Sequence, residues 1–322
     1  MGSPRTVADS PSPSHRRGQE NLTRYITERA LALGFNKVGI APAGPLEPEG
    51  SRLQAWVDFG YHATMEWMSG RVEERKDIRR YFPEARSVVS VILNYFHGTS
   101  KGTVKISNYA WGDDYHEVMK KKLAQLIENI REVNPDVKGL VCVDTSPLME
   151  KAWAQRCGIG WVGKHTNLIT RDTGSWVFLG ELILDCELRY DAPFHEDLCG
   201  SCTACLEACP TGAIVDEYVI DSNLCISYLT IEHRGDLPAA MSDQLHGWIY
   251  GCDVCQEVCP WNIKFGQRSG ELAFAPREEI KEKQATEWNT LSRENYGRLV
   301  RNSALKRAKF EGLRRNILAN HF

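Results

Sequence analysis

The chain contains no apolar run approaching the roughly 20 residues that a membrane-spanning helix needs, so no membrane is expected among its partners. Its first eighteen residues are rich in Ser, Pro and Arg and carry neither the apolar core of a secretory signal nor any helical or strand periodicity. Residues 1–20 are expected to be a disordered tail or an expression remnant, with a transit peptide the weaker option. Strong overall charge is absent too, since 39 basic residues against 42 acidic ones leave a net charge of −3, which by itself names no partner. A usable nucleotide motif is also missing. Gly158-Ile-Gly160-Trp-Val-Gly163 has the spacing of a dinucleotide loop but follows a predicted helix instead of a strand. Read as a phosphate loop, the same stretch puts His165 after Lys164, where a magnesium-binding Ser or Thr belongs. Dinucleotide binding and nucleotide hydrolysis are both set aside on these grounds. What remains is a glycine turn with Lys164 and His165 at its exit, suited to approach a large ligand closely.

Cysteine is what the chain has in number. Cys199-x2-Cys202-x2-Cys205-x3-Cys209-Pro210 and Cys252-x2-Cys255-x3-Cys259-Pro260, with Cys225 between them, supply eight thiolates, the ligand count of two [4Fe–4S] cubanes. The first run matches the bacterial ferredoxin pattern, in which the last cysteine ligates the other cluster. By internal pseudo-symmetry one cluster takes Cys199, Cys202, Cys205 and Cys259, and the other takes Cys209, Cys225, Cys252 and Cys255. Zinc is the competing reading, but it takes paired Cys-x2-Cys hooks with a longer spacer, and three cysteines at steps of three would crowd one tetrahedral ion. The remaining three of the eleven cysteines, Cys142, Cys157 and Cys186, read as free thiols. Free thiols and clusters suit a reducing compartment, so a cytoplasmic location is expected.

Apolar residues at helical spacing (Leu22, Tyr25, Ile26, Ala30, Leu33) predict a helix over 21–33 ended by Gly34, and Asp114–Val133 predicts a longer one. Lys37–Ile40, Val88–Leu93, Gly139–Asp144 and Trp176–Asp185 read as strands. The fold class expected is α+β: a mixed α/β sheet domain over 21–192, a ferredoxin-like domain with an insertion over 193–265, and a basic helical segment over 266–322 with few apolar stripes. In Asp144-Thr-Ser-Pro147, Ser or Thr is placed to cap a following helix with Pro147 at its first position, and Asp144 ends a strand, where α/β sheets bind ligands. Asp144 is open to two readings, helix cap or functional acid. Between Arg293 and Arg315 there are eight basic residues against two acidic ones, either a solvated face or a phosphate-binding one.

Several stretches together resemble one family. They are Tyr109-Ala-Trp-Gly-Asp-Asp-Tyr-His116, Val143-Asp144-Thr-Ser-Pro147, Gly158 to Lys164, Phe178-Leu-Gly-Glu-Leu182, both cysteine runs, Cys225-Ile-Ser227-Tyr-Leu-Thr-Ile-Glu232, and Lys306-Arg307-Ala-Lys-Phe-Glu-Gly-Leu-Arg314-Arg315-Asn316. The chain resembles the epoxyqueuosine reductases, cobalamin- and iron–sulfur-dependent enzymes that complete queuosine in the anticodon of tRNA. The resemblance implies that the sheet domain binds cobalamin near its boundary with the ferredoxin part, that Asp144 is the proton donor, and that Asp144, Lys164, His165, Ser227 and Asp253 contact the cofactor. It also implies tRNA contacts at Lys306, Arg307, Arg314 and Arg315. An electron donor of unspecified identity and a monomeric state are expected. The chain departs from two related patterns. Met119 stands where the cobalamin motif D-x-H-x-x-G has its last glycine after Asp114-Tyr-His116, and Asn108 stands where the family commonly has arginine.

Reducing an epoxide to an alkene takes two electrons and two protons and releases water, so a low-potential source, a reactive reduced metal and an acid are all required. If Asp144 is that acid, burial must raise its pKa. Two other readings are a corrinoid iron–sulfur reductase of another substrate such as an organohalide, in which the basic segment has no role, and a non-catalytic electron-transfer module, against which Asp144 and the large sheet domain argue.

Overall fold

The computed structural model of the chain describes residues 13–100 and 102–322. Helix α1 (Pro13–Ala32) ends before Gly34, whose φ of 93° only glycine adopts freely. The helix starts earlier than its apolar spacing indicates, because Arg, Gln and Glu before Leu22 are good helix formers even without an apolar stripe. The expected tail is shortened accordingly, and its residues 1–12 lie outside the described residues.

The next elements in chain order are β1 (Lys37–Pro42), β2 (Ser87–Asn94), α2 (Tyr115–Val133), β3 (Gly139–Cys142), α3 (Glu150–Arg156) and β4 (Val177–Leu184). The strands form a sheet in the order β1-β2-β4-β3 with every ladder antiparallel. An α+β class therefore stands, but the expected mixed sheet does not. Apolar runs report burial on two faces, and that burial says nothing of strand direction.

Both faces are covered. On one, Val89, Val91 and Leu93 pack against Ile26 and Ala30 of α1 and Met119, Leu123 and Leu126 of α2. On the other, Val88, Ile92 and Ile183 meet Ala152 and Trp153 of α3. All eight residues of β2 are consequently buried, each large apolar side chain contributing about 1.5–3 kcal/mol. Helix α3 lies close enough that a Cβ on Gly39 of β1 would stand 2.0 Å from the Cys157 carbonyl oxygen.

The later helices include α4 (Ile226–Ile231), α5 (Pro260–Phe265) and α6 (Lys309–Ala319). The C-terminal part is not the stripe-poor segment its sequence suggests. Trp288, Leu299, Leu305, Leu313 and Ile317 share a core with Ile106, Ile249 and Tyr250, and Lys105–Ile106 pairs in parallel with Trp248–Tyr250. Residues from all three expected domains thus meet in one apolar cluster.

Candidate active site

The eight cysteines fall into two neighbourhoods. Cys199, Cys202, Cys205 and Cys259 line one cavity of about 150 Å³ together with Lys164, His165, Ile169, Leu198, Pro260 and Trp261. The other four are electrostatic neighbours of one another: burial pushes the Cys252 and Cys255 thiols up, and Cys225 and Cys209 push both further. Local backbone aims donors at the sulfurs. Cys225 precedes α4 and Cys259 precedes α5; burial raises each thiol while backbone N–H groups pull it back down, those of Tyr228 and Ser227 on Cys225 and those of Asn262 and Trp261 on Cys259. Cys142 and Cys157 are buried free thiols and Cys186 is a half-buried one.

Asp144 does not cap a helix. Helix α3 begins at Glu150, six residues later, with Met149 before it and no side-chain cap. Asp144 itself lies in the left-handed region at φ 57°, and its N–H donates to Glu150 Oε1 at 2.5 Å. Its carboxylate, on a side chain 55% open to solvent, meets His116 Nε2 at 3.0 Å. The other ring nitrogen of His116 is 2.7 Å from Asp114 Oδ1, and the Lys306 ammonium lies 2.6 Å from Asp114 Oδ2. Tyr115 stacks between His116 and Phe178, at 4.0 and 4.2 Å between ring centroids. Lys306, Asp114, His116 and Asp144 form one polar line that ends at the open carboxylate.

The charges along this line follow from its geometry. Burial pushes Asp144 up, but the hydrogen bond and charge of His116, then Tyr115 and Arg307, more than offset it and hold the carboxyl below its ordinary value. Burial pulls His116 down, yet Asp114 and Asp144 lift it to about 9. In this geometry the proton of the pair sits on His116 and not on Asp144. Glu150 behind it is held well above the carboxylate range by burial and by the Asp144 charge. Both ring nitrogens of His116 are engaged, so its imidazole has no lone pair for a metal, in keeping with the incomplete cobalamin motif.

Lys151 connects this site to the second cysteine group. Surrounding protein pulls its ammonium down, while Cys255, Glu150, Asp144 and Cys225, in that order, push it up. Lys151 Nζ itself donates to Asn167 Oδ1 at 3.0 Å, and its charge also bears on His165.

Of the five expected cobalamin contacts, Lys164 and Asp253 have their side chains paired within the protein. Lys164, 3% exposed, places Nζ 2.6 Å from both the Gly200 carbonyl and Glu217 Oε1. His165 lines the first cysteine cavity. Ser227 turns its N–H to Cys225. Asp253 is buried and accepts from Ser107 Oγ at 2.5 Å and Asn108 N at 2.7 Å. Asn108, which replaces the family's arginine, is itself buried and accepts from His97 N at 3.2 Å.

The basic segment also divides. Arg314 is exposed. Arg307 grips Glu232 at 2.5 and 2.7 Å, and Lys306 serves Asp114. Arg315 donates to the carbonyls of Leu229, His233 and Gly235 at 2.6–3.1 Å and so holds α6 against α4 and the turn after it.

Comparison with known proteins decides the family. The "4Fe-4S double cluster binding domain" model matches residues 198–262, and the "Epoxyqueuosine reductase QueG, DUF1730" model matches 75–145. An epoxyqueuosine reductase of Cellulophaga algicola is 43% identical over 301 residues, 93% of this chain and 98% of that protein. One from Synechocystis is 47% identical over 290 residues, 88% and 99%. The chain belongs to the epoxyqueuosine reductase family. A crystal structure of an epoxyqueuosine reductase with a tRNA-Tyr epoxyqueuosine-modified stem loop superimposes with a TM-score of 0.85 at 30% identity, covering 93% of this chain and 80% of that one. The Bacillus subtilis epoxyqueuosine reductase, described with its aspartate-bearing catalytic loop swung out of the active site, gives 0.84 at 28%, covering 93% and 81%.

Sequence reasoning missed His116, Tyr115, Glu150 and Lys151. A signal existed for the first: Asp114 before the periodic residues of α2 is a helix cap, and a cap whose side chain accepts from His116 N also fixes the ring that follows.

Proposed function

We propose that this chain reduces epoxyqueuosine to queuosine in tRNA, with Asp144 and His116 delivering the proton. The observation that carries the reading is the His116–Asp144 contact at 3.0 Å beside the second cysteine group, in a chain of this family. The donor sets fit the family's iron–sulfur cofactors, with two cysteine quartets for two cubanes, while His116, both of whose ring nitrogens are engaged, is kept for the acid. When bound, the clusters supply electrons singly and cobalamin a reduced cobalt able to attack the strained ring. The protein's own part is the acid. Asp114 and Lys306 hold the His116 ring, Asp144 accepts its Nε2–H, and a proton moving along that contact reaches the carboxylate that opens toward the substrate. The catalytic-loop description of the Bacillus subtilis relative supports giving this role to the Val143–Pro147 loop.

The acid has a pH signature. His116, raised from 6.5 to about 9, is protonated below that value and loses its proton as pH rises through it. Turnover is expected to fall on the alkaline side near pH 9, and the stability that the raised pKa contributes, complete below 6.5, is lost over the same window. In His116→Gln the alkaline limb should disappear and the rate drop by about 10²-fold; a limb that persists in this variant places the titrating acid elsewhere.

We further propose that tRNA phosphates meet exposed Arg314 and its neighbours. Arg314→Ala should lower the slope of log affinity against log salt by about 0.7–0.9, the share of one phosphate contact. Arg315→Ala, by contrast, should cost about 2 kcal/mol of stability and leave the slope of the folded fraction unchanged. Salt titrations of tRNA binding with thermal melts separate the two, and an unchanged slope in Arg314→Ala would send the RNA to another face.

A further inference from the structure

His165 is 3% exposed and lines the cavity shared by Cys199, Cys202, Cys205 and Cys259. Its Nδ1 accepts the Asn167 N–H at 3.2 Å, while Nε2, shielded from solvent, has no partner. An imidazole that accepts at Nδ1 carries its hydrogen at Nε2. A buried N–H left unpaired costs about 1–3 kcal/mol, and native interiors pair such groups almost without exception. The missing acceptor must therefore belong to whatever fills the cavity. Lys164 cannot supply it, because an ammonium only donates, and its donors go to the Gly200 carbonyl and Glu217.

We propose that His165 Nε2–H donates a hydrogen bond to a sulfur of the cluster held by Cys199, Cys202, Cys205 and Cys259 and thereby raises that cluster's reduction potential. The inference rests on reading this cavity as a cubane site. A donor to sulfur stabilises the reduced state, which carries one more negative charge, over the oxidised one. A raised potential makes this cluster a better electron acceptor and a weaker donor to whatever follows it.

The test is an EPR-monitored redox titration of the anaerobically reconstituted enzyme. His165→Leu, which removes the donor, should lower the potential of this cluster alone, cutting its reduced fraction at a fixed potential about tenfold, which corresponds to about 59 mV for a one-electron couple. His165→Gln, which keeps an N–H at similar reach, should stay near wild type. An unmoved potential in an iron-replete His165→Leu protein overturns the proposal. Should His165→Leu fail to load the cluster, wild-type protein carrying ¹⁵N-histidine decides: a weak ¹⁵N coupling to this reduced cluster supports the bond, and its absence overturns it. Iron analysis separates the two levels. Fewer than about eight iron per wild-type chain sinks the cubane reading and the proposal with it, whereas about eight iron with no potential shift sinks the proposal alone.

Discussion

Asp144→Asn is expected to fold, to retain its iron and to lose about 10²-fold or more of its turnover. The substitution is nearly isosteric, and Asn tolerates the left-handed backbone at φ 57° about as well as Asp does. The N–H bond to Glu150 does not involve the side chain, and an amide oxygen can still accept from His116 Nε2. What disappears is the negative charge that helps to lift His116 to about 9, together with the carboxylate that would pass the proton on. His116 should consequently titrate at a lower pH in the variant. Single-turnover reduction of epoxyqueuosine-bearing tRNA measures the rate, and iron content with a thermal melt controls for folding. A rate near wild type in an iron-replete protein would reduce Asp144 to a loop residue that only positions its neighbours.

Parts of this architecture were legible in the sequence because they are local. Cysteines at steps of three, the glycine that ends α1 and the apolar period of α2 each carry their meaning within a dozen residues. Sheet direction is not local, and the two-sided burial of β2 erased the alternation that would have marked an antiparallel strand. The C-terminal core was hidden for a different reason. Apart from α6, its helices are of four to seven residues, too short to show a period, and their apolar partners Ile106 and Tyr250 come from distant segments.

The site was partly legible for the same reasons. Asp144 stood out, but the Ser-Pro step that invited a helix cap instead forms an irregular loop ahead of Glu150. Its low pKa could not be foreseen, because it depends on His116 arriving from another helix 28 residues earlier. Lys164 and His165 show the limit most clearly. Their glycine-turn context points to a close approach without naming what is approached, and only the tertiary structure puts them beside the cysteine cavity.

Cys225→Ala is expected to remove one cluster and leave the other, taking iron from about eight to about four per chain. Cys225 is the single ligand candidate outside the two runs, and no other cysteine lies between Cys209 and Cys252 to replace it. Its sulfur lies at the start of α4, under the N–H groups of Ser227 and Tyr228, and Cys209 acts on it electrostatically. Alanine keeps the small side chain packed beside Trp248 and Leu229, so the apolar cluster around α4 should survive. An electron path through two clusters is broken when either is missing. Turnover should accordingly vanish, while the remaining cluster keeps its EPR signal and its potential, because the cavity around His165 is untouched. Iron analysis beside EPR of the dithionite-reduced protein reads both quantities at once. Full iron in Cys225→Ala would mean that a different residue completes the second quartet, and loss of the signal from the first cluster would mean that the ligands are divided differently between the two.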